Sequence, residues 1–145
     1  ALELATTLRA HAETVPPGPD GARLVATARG YVAFAAANPQ LFRAMFGVEG
    51  TAAGDAYPGG DPGAFDVLED EVDRLIDEGV LPTASRPYAA VALWAAVHGL
   101  TVLILDGVLP RHNPSRSSDP APDVDDLLNR LITATFTGFT GTPHG

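Results

Sequence analysis

The chain has 145 residues, 46% of them hydrophobic, enough to bury one core as a single domain and too apolar for a disordered segment. Nine basic residues against 18 acidic ones leave a net charge of −9, a field that repels a phosphate backbone, so these residues are not read as a nucleic-acid surface. With no Cys there is no disulfide, no thiolate metal site and no cysteine nucleophile.

Apolar residues recur with a helical period along every long segment, and no alternating strand bounded by hairpin turns is found. The expected fold class is therefore all-α. A first helix is predicted over Leu2 to Glu13, stopped by Pro16-Pro17-Gly18-Pro19. The opening residues, Ala1-Leu2-Glu3-Leu4, have neither a basic region nor a long apolar run, so no signal peptide is expected and a cytoplasmic location is. Asp20 is expected to cap a second helix, Gly21 to Ala37. Asn38-Pro39 ends it and starts a short third one, Pro39 to Phe46, since Asn favours the N-cap and Pro the first helical position.

Residues 47–60 hold five Gly among small and polar residues and are expected to form a mobile loop. A fourth helix is predicted over Pro62 to Glu78, with Phe65, Leu68, Val72, Leu75 and Ile76 inward and Gly79 as a left-handed cap. Its run of acids, Asp66, Glu69, Asp70, Glu71, Asp73, Asp77 and Glu78, reads as a solvated face with Asp70 paired to Arg74. The fifth helix starts near Ser85 and ends at Asp106 before Gly107. A Pro-rich connection, residues 110–122, is expected to be exposed and partly disordered, and leads to a sixth helix, Val124 to Phe139, with Asp123, Asp125 and Asp126 at its positive end.

Chemistry has few footholds. The four His, at 11, 98, 112 and 144, have no carboxylate or second His at metal-binding helical spacing, and no acid lies one or two turns from His98 on the same face to orient it as a base, Asp106 pointing toward the small-residue side instead. No Gly-rich phosphate loop follows a strand and no Ser sits in a nucleophile elbow. No catalytic residue, metal site or cofactor is expected.

The fifth helix carries the most information. Tyr88 to Leu105 contains no Asp, Glu, Lys or Arg, yet five Ala, His98, Gly99 and Thr101 dilute it too far for a bilayer span, so a helix buried between protein surfaces is expected and no membrane partner. Plotted at about 100° per residue, Ala92, Ala95, Ala96, Gly99, Val102 and Leu103 form a small-residue face that lets another helix come close. Trp94, His98, Thr101 and Leu105 form another wall. One side of such a helix is expected to meet a second copy of the chain.

The run Trp94-Ala-Ala-Val-His98-Gly99-Leu100, with Tyr31-Val-Ala-Phe34, Asn38-Pro39-x-Leu41-Phe42-Arg-x-Met45-Phe46-Gly47 and Gly79-Val80-Leu81-Pro82, resembles the C-terminal domain of tetracycline-repressor-like (TetR family) regulators. It is most similar to the subgroup marked by Trp, His and Gly in that helix. The resemblance, over about residues 1 to 139, implies a six-helix regulatory domain spanning 1–145. An N-terminal helix-turn-helix DNA-binding domain, absent from this chain, would then supply all DNA contact. It implies a homodimer whose four-helix interface joins the two long C-terminal helices to their copies. The small face of the fifth helix would supply one half, and Leu127, Leu128, Leu131, Thr135 and Gly138 of the sixth the other. It also implies a small apolar or aromatic effector held inside the bundle, with Tyr31, Phe34, Phe42, Met45, Phe46, Val72, Leu75, Trp94, His98 and Thr101 as candidate contacts. The alternative is a ligand-free helical dimerisation module in which Trp94 and His98 are only core.

Overall fold

Helix punctuation sets the architecture. The computed structural model describes residues 2–46, 62–109 and 123–140, and the expected loop at 47–60 and connection at 110–122 lie outside them. Six α-helices follow in order: α1 (Leu2–Glu13), α2 (Ala22–Ala37), α3 (Pro39–Phe46), α4 (Pro62–Asp77), α5 (Ala89–Asp106) and α6 (Val124–Thr140). One 3₁₀ turn, Thr83–Ser85, precedes α5, and no strand occurs among the described residues.

Gly79 and Gly107 end α4 and α5 in the left-handed conformation, with φ of 77° and 67°. In each case the next amide reaches back to a carbonyl of the last turn, Val80 to Leu75 at 2.8 Å and Val108 to Leu103 at 3.2 Å, which satisfies carbonyls the helix leaves open. Three caps differ from expectation. Gly21, not Asp20, occupies the N-cap of α2, and Asp20 accepts a bond from the Ala22 amide at 3.2 Å from one position earlier. Asn38 stands at both ends: its carbonyl opens α3 by accepting from the Phe42 amide at 2.9 Å, while its side-chain amide turns back to the Phe34 carbonyl at 3.1 Å and closes α2 instead of capping the α3 amides. Residues 86–88 form a turn, and the helix begins at Ala89, four residues after the expected start near Ser85.

Apolar stripes then dictate the packing. Leu4 and Leu8 of α1 meet Leu24, Val25, Ala28 and Ala35 of α2 in one core with Val72 and Leu75 of α4, Leu93 and Val97 of α5, and Leu128 and Ile132 of α6. Gly30 is where α1 crosses α2, since a Cβ there would sit 3.0 Å from the His11 ring. That ring is itself fixed by its Nδ1–H donating to the Thr7 carbonyl at 2.9 Å.

The acidic face of α4 is broken at one place. Glu71 is only 7% exposed, and it, not Asp70, is the partner of Arg74, at 2.5 Å. Arg23 of α2 approaches the same carboxylate at 3.8 Å. Each guanidinium also holds a backbone carbonyl beside α1: Arg23 donates to Ala12 at 3.1 Å and Arg74 to Gly18 at 3.2 Å. This cluster ties α4 and α2 to the end of α1. Among the remaining acids of α4, Asp73 and Asp77 face Arg86 across the chain reversal.

Candidate functional site

Spacing of four residues on two helices builds an aromatic cluster. Phe42 and Phe46 lie one turn apart on α3, Trp94 and His98 one turn apart on α5, and Tyr31 comes up from α2. The Phe42 and Phe46 centroids are 4.7 Å apart, Phe46 and His98 4.8 Å, and Trp94 and His98 5.3 Å. Tyr31 meets Phe42 edge to face at 5.5 Å and 86°, an arrangement that the ring quadrupoles favour.

At the centre, the Tyr31 hydroxyl donates to His98 Nδ1 at 2.6 Å. Burial pushes the Tyr31 hydroxyl well above its usual pKa. Burial also holds His98 below its usual 6.5. Tyr31 is therefore protonated and His98 neutral near pH 7, which makes Nδ1 the acceptor and places the imidazole proton on Nε2. Among the described residues no carboxylate bonds to the ring, and the imidazole serves as an internal acceptor for Tyr31.

Beside this cluster is an apolar cavity. Its volume is about 40 Å³ and it opens to solvent. Every helix contributes to its wall: Leu8 of α1; Leu24, Thr27, Ala28 and Tyr31 of α2; Phe46 of α3; Ala64, Phe65 and Leu68 of α4; Leu93, Trp94 and Val97 of α5; and Ile132 of α6. Of the residues expected to contact an effector, Tyr31, Phe46 and Trp94 line this cavity. The others do not. Phe34, Phe42, Val72 and Leu75 are buried in the surrounding core, and Met45 packs partly buried against it. His98 stands behind Tyr31, and Thr101 is buried with its hydroxyl donated to the Val97 carbonyl at 2.7 Å. Leu8, Leu24, Ala28, Leu93 and Ile132 were not among the expected contacts, because periodicity identifies an inward face and not which inward residues border a void. Thr27 carried a usable signal, a hydroxyl within an apolar stretch of α2.

Among the described residues, no group of three or more His, Asp or Glu comes together to hold a metal ion. Comparison with known families matches residues 24–135 to the tetracyclin repressor-like, C-terminal domain. The chain belongs to that family. No curated protein and no solved structure matches it.

In this TetR-like domain the two C-terminal helices pack on each other and leave part of α5 uncovered. Ala95, Gly99 and Leu103 are exposed, Leu103 by 44%, while Ala92, Ala96 and Val102 are half-buried at the edges of the same face. Val91, 51% exposed, extends that stripe by one turn, and a Cβ at Gly99 would meet nothing within 4 Å. On α6, Leu127, Leu131 and Thr135 are half-buried and Gly138 is exposed. Leu128 is a correction to the expected interface: at 1% exposure it lies with Ile132 in the protomer's own core, one helical step from the outward stripe, and offers no surface to a partner.

Proposed function

We propose that this chain is the effector-sensing and dimerisation domain of a TetR-like transcriptional regulator. In this reading the cavity takes a small apolar or aromatic molecule, the exposed face of α5 and the outward residues of α6 pair with a second copy, and a helix-turn-helix domain joined ahead of α1 reads DNA. The role is regulatory, in the cytoplasm, and needs no cofactor.

The observation that carries the reading is that the cavity wall and the ion cluster share the same three helices. Leu8, Leu24 and Leu68 border the cavity; Ala12 and Glu71, each about one turn along the chain from Leu8 and Leu68, are joined through the guanidinium of Arg23, the neighbour of Leu24. A molecule that displaces α4 or α2 therefore acts on the end of α1, the helix expected to connect to the DNA-reading domain. The cavity has room for a few water molecules, well short of the several hundred Å³ of a typical ligand site, so binding requires its aromatic wall to open.

Native mass spectrometry tests both halves of the reading. Twice the chain mass supports pairing through α5 and α6, and a retained small molecule supports the cavity as a sensor. A clean monomer at micromolar concentration overturns the pairing. The small enclosed volume favours one second reading, a dimerisation module without an effector; a dimer that never retains or responds to any apolar molecule supports it instead.

A further inference from the structure

The cavity, about 40 Å³, takes a small molecule only if part of its wall moves, and the packing of the helices singles out which part. Five helices are each pinned by two or more side chains exposed by 3% or less, such as Leu4 and Leu8 of α1 or Leu128 and Ile132 of α6. The eight-residue α3 has one, Phe42. Its contribution to the cavity wall is also a single side chain, the half-buried Phe46 one turn farther on. Of the ring pairs among the described residues, Phe46 and Trp94, both in that wall, are the most widely spaced, at 6.4 Å between centroids.

The junction of α3 with α2 is built to turn. Asn38 is non-helical, with φ of −134° and ψ of 59°, and Pro39 has no N–H with which to carry the hydrogen-bond ladder of α2 into α3. Along the helix axis, at about 1.5 Å per residue, Phe42 lies roughly 4 Å beyond Pro39 and Phe46 roughly 10 Å. A tilt of about 15° at the junction therefore shifts Phe42 by only about 1 Å and Phe46 by about 3 Å. On the outer side one guanidinium holds α3 down. Arg43 donates to the Leu105 carbonyl and to Asp106 Oδ1, each at 3.2 Å, at the C-terminal end of α5, where open carbonyls and the helix dipole favour a cation. Both side chains are about half exposed, so the tie is weak.

We infer that α3 is the gate of the cavity: it swings on Asn38-Pro39, is latched by Arg43 to the end of α5, and admits the ligand between Phe46 and Trp94. This rests on the reading of the cavity as an effector site and says how that site is entered. Opening breaks the Arg43 pair and the ring contacts of Phe46 with Tyr31 and His98, while Phe42 stays in the core as the pivot. A planar apolar ligand between Phe46 and Trp94 regains ring contact on both its faces.

The sequence has no Cys, so one introduced thiol can be followed alone. Ala28→Cys places it in the cavity wall, at a position 4% exposed, where its reaction with N-phenylmaleimide, an apolar reagent larger than the cavity, reports opening. Adding Arg43→Ala should speed that reaction about two- to fivefold, the yield of one exposed ion pair. Phe46→Ala, which removes the moving side chain, should speed it at least about tenfold. Arg86→Ala removes a comparable exposed pair, with Asp73 of α4, and should leave the rate unchanged. Ala89→Cys, a fully buried position away from the cavity, reports loosening of the whole fold, and its labelling should not respond to Arg43→Ala. No acceleration by Arg43→Ala or by Phe46→Ala, an equal acceleration by Arg86→Ala, or a matching rise at Ala89→Cys each overturns α3 as the gate. Benzene, followed by the fluorescence of Trp94, the only Trp in the sequence, tests the site separately. Accelerated labelling with no response to benzene keeps α3 as the moving wall and overturns the effector reading; benzene binding with labelling indifferent to Arg43 and Phe46 keeps the site and overturns the gate.

Discussion

Replacing Glu71 by Gln removes one charge at the centre of the ion cluster and leaves its shape nearly unchanged. The carboxylate accepts two bonds from Arg74, at 2.5 and 3.2 Å, and faces Arg23 at 3.8 Å. Gln keeps one carbonyl acceptor and turns an NH₂ toward a guanidinium, so two Arg are left with Glu78 as the remaining anion of the cluster. Breaking a buried ion pair costs about 3–5 kcal/mol. Both Arg side chains retain 19% exposure and Gln retains a hydrogen bond, which reduces the loss to about 2–3 kcal/mol. With an unfolding entropy of about 2 cal/mol/K per residue, the melting temperature should fall by roughly 7–10 °C. Thermal unfolding by circular dichroism at fixed protein concentration measures this, and the concentration must be fixed because a dimer melts later when more concentrated. Amide exchange should also accelerate over residues 10–18, where Arg23 and Arg74 release the Ala12 and Gly18 carbonyls. A melting temperature within about 1 °C of the parent, with unchanged exchange at the end of α1, would refute the idea that Glu71 holds these helices together.

Three other outcomes are expected. Because burial lowers the pKa of His98 in the folded chain, the unfolded chain binds more protons below pH 6.5; the stability from neutral His98 is complete above that value and lost as pH falls through the lower folded one. Denaturant midpoints between pH 7.5 and 5 should show this slope, and His98→Phe should flatten it. Gly30→Ala gains about 1 kcal/mol of helix propensity but pushes a methyl to 3.0 Å from the His11 ring, so a net loss of about 1 kcal/mol is expected in chemical denaturation; a gain would show that α1 yields freely. Ala95→Glu on the exposed face of α5 should give a folded monomer in analytical ultracentrifugation, whereas Leu128→Ala should keep the dimer and lose about 3 kcal/mol of stability; the opposite pattern would place the interface elsewhere.

Much of this protein is local and therefore readable along the chain. Proline and glycine set five of the helix ends closely, since their backbone limits act within a residue or two whatever the tertiary context: Pro39, Pro62, Gly79, Gly107 and the Pro-rich stop after α1. The one start misplaced by several residues, that of α5, follows the Arg86-Pro87-Tyr88 turn, where the apolar period runs on across a break in the helix. The TetR-like family was legible because the order of Tyr31, Phe42, Phe46, Trp94 and His98 survives as a pattern on three helices.

The cavity wall was legible only in part. A helical stripe shows that Leu24, Val72, Leu75 and Leu93 all turn inward, yet the crossing of helices decides that Leu24 and Leu93 border empty space while Val72 and Leu75 fill solid core. Leu128 shows the same limit, because it lies only about 100° from Leu127 around α6 and a small helix rotation decides which of them meets solvent. Glu71 is the clearest case. Sequence placed it among seven acids of one helix, where a solvated face is the ordinary outcome, and only the arrival of Arg23 from α2 gives that one carboxylate a buried partner and a connection to α1. Sequence alone therefore determined the helices, their ends and the family, which rest on contacts within a few residues. Tertiary structure decided the cavity, the ion cluster and the free face of α5, which depend on how far apart in space residues distant in the chain are held.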